Sequence, residues 1–185
     1  MTVEGLKPAL FLDRDGVLIK DVPYLHDPDK VVLMEGVVEI IQHAQRAGWA
    51  VVVATNQSGI ARGLFTESDC IRMHQHIDHL LAALAVKVDC WYYCPYHPTK
   101  GIGSYLKESD WRKPHPGMFF QAAKDLQLDL DRSIMIGDKL SDVIEHQGIK
   151  SYLIQGDYSL GGGDKKIIFA DLRLLLQYII IHHWS

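Results

Sequence analysis

The chain has 185 residues and a formal net charge of −4, and 48% of its residues are hydrophobic. This length fits one domain with a sizeable core, so we expect residues 1–185 to form a single domain. The composition is that of a globular protein, and the negative charge argues against nucleic-acid binding, which requires a basic face. It does not exclude a local basic pocket for phosphate.

Membrane and export signals are missing from the sequence pattern. No stretch has the length and apolarity of a membrane span, and the first seven residues do not resemble a signal peptide. The three cysteines form an odd set without a disulfide framework. We therefore expect a cytoplasmic protein that contacts no membrane, and a monomer.

The first predicted element is a short buried strand over residues 8–12, which ends in a turn at Gly16. Asp13 and Asp15 follow it at i, i+2 spacing, so both side chains leave the strand end on the same side. Two carboxylates there repel each other unless a cation or a shared proton lies between them. A pair of solvated acids in a turn is the alternative, and this motif alone does not decide.

Residues 20–30 are polar and rich in proline, which predicts a flap over the strand ends rather than a helix. An ordinary surface loop is the alternative. The next pattern predicts a helix from Gly36 to Gly48 and a strand over 49–54. A strand, a helix and a strand in this order imply a right-handed crossover between parallel strands.

A long helix is expected next, with Thr66 as its N-cap and its end near Ala85. It carries three histidines. An i, i+2 spacing does not place two of them on one helical face, which argues against a metal site. We interpret all three as surface residues: His74, His76 and His79.

The second half of the chain continues the alternation. We predict strands over 88–94, 133–137 and 151–154, helices over 116–128 and 140–147, and a loop over 95–111. Pro116 suits the first turn of its helix. The glycine-rich residues 156–164 fit neither GxGxxG nor the P-loop, so we interpret them as a flexible link.

The chain is predicted to end with a short strand over 167–169 and a helix capped by Asp171. One apolar face of this helix should dock on the rest of the protein. The residues of that face are Leu172, Leu175, Leu176 and Ile179.

The alternation predicts an α/β fold, a parallel sheet with helices on both faces. Ligands bind such sheets at the C-terminal ends of the strands. About 40 residues separate Asp15 from Thr55, and the flap, a helix and a strand already occupy them, so no large cap domain is expected. The 95–111 loop is the best candidate for a small substitute cap.

Polar residues stand at three further element ends. Thr55-Asn-Gln-Ser58 ends the second strand, and Arg112-Lys-Pro114 opens a helix. Gly137-Asp-Lys139 follows the strand over 133–137, with Asp142 just beyond. Each block alone is unremarkable, since turn residues and solvated charges are common, but four such blocks together indicate an active site.

In order and spacing these blocks resemble the four motifs of the haloacid dehalogenase (HAD) superfamily of phosphatases, which have a Rossmann-like fold. Within it they most resemble the D,D-heptose 1,7-bisphosphate 7-phosphatases, and histidinol-phosphate phosphatases are near relatives. The resemblance runs from about residue 8 to about residue 157. It is carried by Leu12-Asp-Arg-Asp-Gly16, Thr55-Asn-Gln-Ser-Gly-Ile-Ala-Arg-Gly63, Arg112-Lys-Pro-His-Pro-Gly117 and Gly137-Asp-Lys-Leu140.

The resemblance implies phosphate-ester hydrolysis through an aspartyl-phosphate. Asp13 would be the nucleophile, and Asp15 would protonate the leaving oxygen and then deprotonate water. Magnesium suits hard carboxylate and phosphate oxygens. Asp13 and Asp138 would bind it through their side chains, and Asp15 through its backbone carbonyl.

The resemblance also implies how the phosphoryl group is held. Thr55 would offer its hydroxyl, and Lys113 a fixed positive charge. Asp142 would orient Lys139 or a metal-bound water. Backbone N–H groups would hold phosphoryl oxygens at Asn56, Gln57 and Ser58.

Further substrate contacts are implied at the flap and beside Lys113. In the resembled family the segment after the aspartate motif contacts substrate, so Asp21 and Tyr24 are candidates, and Lys139 is another. A second phosphate needs its own cation, and Arg112 could grip it, or sugar hydroxyls, in a fork. Arg62 could help, or could only close the turn.

The predicted function is removal of the C7 phosphate of D-glycero-D-manno-heptose 1,7-bisphosphate in nucleotide-heptose and lipopolysaccharide-core synthesis. The partner is thus a small phosphorylated sugar. A histidinol-phosphate or broad small-molecule phosphatase is the enzyme alternative. A phosphosugar-binding protein without catalysis is the alternative of another class, and the presence of all the implied catalytic residues argues against it.

Enzymes of the resembled family often hold a structural zinc ion in a Cys-x-His…Cys-x-Cys pattern. Alignment on the flanking motifs puts the four positions at Cys94, Tyr96, Ser109 and Trp111. Structural zinc needs four good ligands, and only Cys94 remains. We predict no zinc, an ordinary buried thiol at Cys94, and a loop that is held by an aromatic cluster of Trp111, Tyr96 and Tyr105, or is mobile.

Overall fold

A computed structural model describes residues 5–156 and 168–184. Within them, six strands form one sheet in the order β3-β2-β1-β4-β5-β6, and every neighbouring pair is parallel. The predicted parallel α/β sheet is confirmed. The strands are β1 (Ala9–Leu12), β2 (Ala50–Asn56), β3 (Cys90–Cys94), β4 (Ile134–Gly137), β5 (Lys150–Ile154) and β6 (Ile168–Phe169). Most of the predicted glycine-rich link lies outside the described residues.

The described residues also form five α-helices and several short 3-10 turns. The helices are α1 (Val37–Arg46), α2 (Ser58–Ala61), α3 (Glu67–Ala83), α4 (Gly117–Leu126) and α5 (Leu172–His183). Residues 13–36 between β1 and α1 contain turns, isolated β-bridges and one 3-10 helix, Pro28–Lys30. No cap domain is inserted there, as predicted. None of the helices in the described ranges has the length and apolarity to cross a membrane.

Side-chain alternation along the strands divides the core into two layers. Leu10 and Leu12 of β1 face the layer formed with α1, α3 and α5. Phe11 faces the other layer, where its ring lies 4.7 Å from that of Phe119 in α4. Because helices cover both faces, all four residues of β1 are fully buried.

Two predicted helix starts are confirmed by their caps. The Thr66 hydroxyl accepts a hydrogen bond from the Asp69 N–H, and the Asp69 carboxylate accepts one from the Thr66 N–H. The Asp171 carboxylate accepts from the Leu174 N–H at 2.9 Å. Three of the four predicted docking residues of α5 are buried, and the fourth is half-buried.

The predicted helix over 140–147 is wrong. Only a 3-10 turn, Leu140–Asp142, forms there. The next backbone N–H groups bond outside any local helix, because Ile144 donates to the Ser151 hydroxyl and Glu145 to the Pro114 carbonyl. Pro116 likewise precedes the first turn of α4, as its N-cap, instead of lying in it.

His74 is buried, and its assignment to the surface is wrong. Its ring stacks on Trp91 at 4.3 Å, and its Nε2 lies 3.4 Å from the Cys70 sulfur. Burial, followed by the positive charge of Arg14, lowers the pKa of His74 to about 3. The imidazole is therefore neutral at pH 7. His79 is exposed as expected, and His76 is half-buried.

Candidate active site

The predicted motifs meet because β2, β1 and β4 are neighbours in the sheet. In register, Leu12 pairs with Val53 on one side and with Ile136 on the other. The residues that follow these positions therefore reach the same C-terminal edge. This edge carries Asp13 directly after β1, Thr55 at the C-terminal end of β2, and Asp138 directly after β4.

Lys113 lies at the centre of this edge. Its Nζ is 3.0 Å from Asp13 Oδ1 and 2.6 Å from Asp142 Oδ1, and the side chain is 1% exposed. Burial alone would lower the pKa of Lys113, but the two carboxylates raise it above its ordinary value. A fixed ammonium group is therefore held against Asp13.

Asn56 positions the segment that carries Lys113. Its Oδ1 accepts from the Lys113 N–H at 3.0 Å, and its Nδ2 donates to the Lys113 carbonyl at 3.1 Å. The prediction that the Gln57 N–H holds a phosphoryl oxygen is wrong. The Gln57 N–H is not available to a phosphoryl oxygen, because it donates to the Cys94 carbonyl at 2.8 Å as the β2–β3 pairing continues.

Asp142 holds both Lys113 and the backbone of the segment that carries Asp138 and Lys139. Its Oδ2 accepts from the backbone N–H groups of Asp138 and Lys139 at 3.1 and 3.0 Å. This approach requires Gly137, where an added Cβ would lie 2.1 Å from the Cβ of Asp142. The Lys139 ammonium pairs with Asp21 at 3.0 Å and lies 3.7 Å from Asp138 Oδ2.

Three carboxylates converge at this edge: oxygens of Asp13, Asp138 and Asp142 lie within 4.8 Å of one another. Asp138 Oδ1 is buried and has no hydrogen-bond partner among the described residues. Burial raises the pKa of Asp138 to about 7; Lys139 opposes the rise, and Asp13 and Asp142 add to it. An unsatisfied carboxylate among other acids, close to the Gly16 backbone, fits a hard divalent cation such as Mg²⁺.

The Asp15 side chain does not belong to this acidic cluster. Arg14 donates to both of its oxygens, and Gln57 Nε2 donates to Oδ2 at 2.8 Å. Gln57 Nε2 also donates to Thr55 Oγ1 at 2.9 Å. The two motif acids therefore leave the strand close together but contact different partners.

A cavity of about 250 Å³ opens beside these groups. Its walls include six of the seven predicted substrate residues: Asp21, Tyr24, Asn56, Gln57, Ser58 and Lys139. Arg14 and Phe65 also line it, although the sequence analysis did not single them out. Arg112 does not line it, and its Nη1 donates to the Tyr96 carbonyl at 3.2 Å.

Arg112 belongs to a second group of positive charges. Burial lowers the pKa of Arg112, and nearby Arg62 lowers it further. The pKa of His97 is lowered by burial and then by the same two arginines. The Arg62 guanidinium also lies over the Tyr24 ring, 5.7 Å from its centre. Arg62 and Arg112 therefore form a second positive region, and Arg62 contacts a residue that lines the cavity.

The 95–111 loop is held by hydroxyl and ring contacts. Tyr93 and Tyr105 both donate to the Glu67 carboxylate at 2.7 Å, and the Tyr96 and Tyr105 rings lie 6.0 Å apart. The predicted three-ring cluster is only partly right, because Trp111 packs against Tyr92 instead. Glu67, which accepts both hydroxyl hydrogen bonds, was not predicted. Burial raises the pKa of the Cys94 thiol, which is buried as expected.

Comparison with known proteins gives the family. The model of the polynucleotide kinase 3 phosphatase family matches residues 9–159. A Vibrio cholerae protein named D-glycero-beta-D-manno-heptose-1,7-bisphosphate 7-phosphatase is 48% identical over 138 residues, which are 75% of this chain and 74% of that protein. This chain belongs to the heptose-1,7-bisphosphate 7-phosphatase family. The predicted resemblance is confirmed.

Two further relatives support the assignment to this family. A Pasteurella multocida protein of the same name is 43% identical over 145 residues, or 78% of each chain. The crystal structure of D,D-heptose 1.7-bisphosphate phosphatase from B. bronchiseptica, complexed with magnesium and phosphate, matches with a TM-score of 0.78 and 31% identity. The structural match covers 94% of this chain and 98% of the B. bronchiseptica chain. The Rossmann-like HAD fold is likewise confirmed.

Proposed function

We propose that this heptose bisphosphatase-family chain removes the C7 phosphate from D-glycero-β-D-manno-heptose 1,7-bisphosphate. The observation that carries the catalytic part is the buried Lys113 ammonium between Asp13 and Asp142, at the strand ends and beside a cavity. The sugar and its β anomer are inferred from the names of the bacterial relatives. The reaction would serve nucleotide-heptose and lipopolysaccharide-core synthesis.

Asp13 is the proposed nucleophile. Its Oδ1 accepts from the Arg14 N–H at 2.8 Å and lies 3.0 Å from Lys113, which leaves Oδ2 for attack. A lone pair of Oδ2 forms the bond to phosphorus, and the bond from phosphorus to the sugar oxygen breaks. That oxygen keeps the bonding electrons and takes a proton from Asp15.

Water then completes the turnover. Asp15, now ionised, removes a proton from water as its oxygen attacks phosphorus, and the bond to Asp13 breaks. Inorganic phosphate leaves, and both carboxyl groups return to their starting states. Throughout, the Thr55 hydroxyl, Ser58 and the Lys113 ammonium would hold the phosphoryl oxygens.

Asp13, Asp138 and the Asp15 backbone carbonyl would hold Mg²⁺. Bound there, Mg²⁺ would offset the negative charge of the carboxylates and of the phosphoryl group. The orphaned Asp138 Oδ1 and the raised pKa of its carboxyl group support this assignment. We propose no zinc site at residues 94–111.

The second phosphate of a bisphosphate substrate would bind the cations that gather around Arg112. Arg62 and Arg112 come from different segments, yet they are near enough for one to lower the pKa of the other. An anion between them would relieve this repulsion. Asp21, Tyr24 and Lys139 would contact the sugar or the phosphate from the flap side of the cavity. We further propose one cytoplasmic, monomeric domain over residues 1–185.

A substrate panel tests the function. We expect kcat/KM for the β-heptose bisphosphate to exceed that for the α anomer and for histidinol phosphate by at least about tenfold. A preference of that size for histidinol phosphate would overturn the substrate proposal. Addition of excess chelator should abolish phosphate release, and added Mg²⁺ should restore it.

An Asp13→Asn variant tests the mechanism. An amide cannot attack phosphorus, so turnover should fall by at least about a thousandfold. Asp131→Asn, at an exposed acid far from the cavity, is the matched control and should keep full turnover. Full activity of Asp13→Asn would exclude the aspartyl-phosphate. Wild-type protein that binds heptose bisphosphate without any turnover would establish the binding protein instead.

A further inference from the structure

Arg14 stands between the two motif acids, and its side chain is only 1% exposed. Its Nε lies 3.1 and 3.2 Å from the two Asp15 oxygens, and its Nη2 lies 3.1 and 3.0 Å from the same pair. Two nitrogens of one planar group therefore bind one carboxylate. This fork sets both the position and the plane of the Asp15 carboxylate.

Two further side chains near Arg14 carry no charge. The nearby Cys70 and His74 side chains are neutral at pH 7, because burial raises the pKa of Cys70 to about 11 and lowers that of His74 to about 3. Within residues 5–156 and 168–184, Asp15 is the one carboxylate paired with Arg14. A buried guanidinium that is bound to one carboxyl group holds that group firmly in place.

A second donor completes the grip on Asp15. Gln57 Nε2 donates to Asp15 Oδ2 at 2.8 Å, and Gln57 is 3% exposed. The Arg14 backbone is also fixed, since its carbonyl accepts from the Leu18 and Ile19 N–H groups at 3.0 and 2.9 Å. Asp15 itself still lines the cavity, so its carboxylate is held at the wall rather than hidden.

We propose that Arg14 is a positioning residue for the proton transfer to the leaving sugar oxygen. It acts through Asp15, whose role as general acid is part of the proposed function on which this inference rests. When the phosphorus–oxygen bond breaks, the sugar oxygen keeps the electron pair and takes the Asp15 proton. Without the fork, Asp15 can rotate, and a proton donor must lie within hydrogen-bond distance of the atom that it protonates.

This role predicts a dependence on the leaving group. A sugar oxygen is strongly basic and needs the proton as it departs, whereas p-nitrophenolate is a weak base and departs without it. The kcat/KM value reports the steps up to the first irreversible one, which is release of the leaving group. Comparing kcat/KM for the two substrates therefore isolates the step in which Arg14 is proposed to act.

The test compares Arg14→Met with wild type on heptose bisphosphate and p-nitrophenyl phosphate. We expect kcat/KM to fall about 100-fold for the sugar and less than about fivefold for the aryl ester. Asp15→Asn should show the same selective loss. Arg14→Lys, which keeps the charge but not the fork, should give an intermediate loss for the sugar. Arg173→Met, at an exposed arginine on α5, is the matched control and should change neither value.

The outcomes separate this inference from the function on which it rests. If Asp15→Asn is selective and Arg14→Met reduces both substrates equally, the positioning role is wrong and the function stands. If Asp15→Asn is not selective, the role of Asp15 as the acid fails. If circular dichroism shows that Arg14→Met does not fold, Arg14→Lys and Gln57→Leu replace it in the test. Each of them must reduce kcat/KM for heptose bisphosphate more than kcat/KM for p-nitrophenyl phosphate. Equal losses for the two substrates would overturn the proposal.

Discussion

The candidate active site and the 95–111 loop adjoin at the C-terminal edge of the sheet, yet different contacts hold them. In the candidate active site, Lys113 and Asp142 are charged groups with side chains 1% exposed, and they contact each other directly. In the loop, the partly buried carboxylate of Glu67 accepts from two tyrosine hydroxyls, and the Lys107 ammonium lies 3.9 Å from the centre of the Tyr96 ring.

This difference in contacts predicts how much stability each region loses when one partner is removed. Removing one partner of a buried ion pair leaves the other charge unpaired and away from water, which costs about 3–5 kcal/mol. Removing one hydroxyl from a partly exposed carboxylate costs about 1 kcal/mol, because water replaces the lost donor. We therefore expect a single substitution in the candidate active site to lower stability and turnover strongly. A single substitution in the loop should lower stability only slightly.

The largest effect is expected for Asp142→Asn. The change removes one of the two carboxylates that hold Lys113, so the free energy of unfolding should fall by about 3 kcal/mol. Turnover should fall by at least about 100-fold, because Lys113 is no longer fixed beside Asp13. Urea unfolding and phosphate release measure the two effects. Asp131→Asn is the exposed control, and losses as small as those of the control would mean that the buried pair is not essential.

A second prediction concerns His74, which is buried near Arg14. The folded pKa of His74 is about 3, below the ordinary value of 6.5, so the unfolded chain binds the extra proton as the pH falls. The contribution of His74 to stability is therefore complete above pH 6.5 and is lost toward pH 3. Between pH 6 and 4.5 the loss should be about 2 kcal/mol.

His74→Phe checks this value. Phenylalanine keeps a ring against Trp91 but cannot take a proton, so the variant should lose about 2 kcal/mol less stability than wild type over that pH interval. Urea unfolding at each pH gives the difference. The control His79→Phe replaces an exposed histidine on the same helix and should follow wild type. Identical pH slopes for His74→Phe and wild type would show that water reaches this site.

A smaller effect is expected for Tyr105→Phe, which removes one of the two donors to Glu67. Protease cleavage within the loop should quicken and KM should rise about threefold, while kcat changes less than about twofold. Tyr92→Phe is the matched control, because it breaks a similar bond to Asp125, 2.9 Å long, outside the loop. If both variants leave loop cleavage unchanged, Glu67 does not anchor the loop.

The smallest effect is expected when the protein is treated with a zinc chelator, because the 95–111 loop is predicted to hold no zinc. With Cys94 alone at the four aligned positions, purified protein should hold less than about 0.1 zinc per chain. A zinc-selective chelator should therefore leave the loop cleavage rate unchanged. Elemental analysis that finds one zinc per chain would contradict this prediction.

Two differences between prediction and structure have different causes. His74 shares a helical face with Ile77 and Leu81 at i+3 and i+7, both fully buried, so helical spacing already contained the signal for its burial. The missing helix over 140–147 had no comparable signal. Its N–H groups bond to Ser151 and Pro114, and those partners become available only after β5 and the segment before α4 are in place.

The alternating elements, the parallel sheet and the four polar blocks at its edge can be read from the sequence. These features follow from hydrophobic periodicity and turn residues, which act over a few positions of the chain. Three contacts could not be read from the sequence: Asp142 with Lys113, Glu67 with Tyr105, and Gln57 with Asp15. These contacts join distant segments, and strand order and burial select which partners lie close enough to pair. Arg14 and Asp15 are neighbours in the chain, but only their burial in the folded protein shows that they pair with each other.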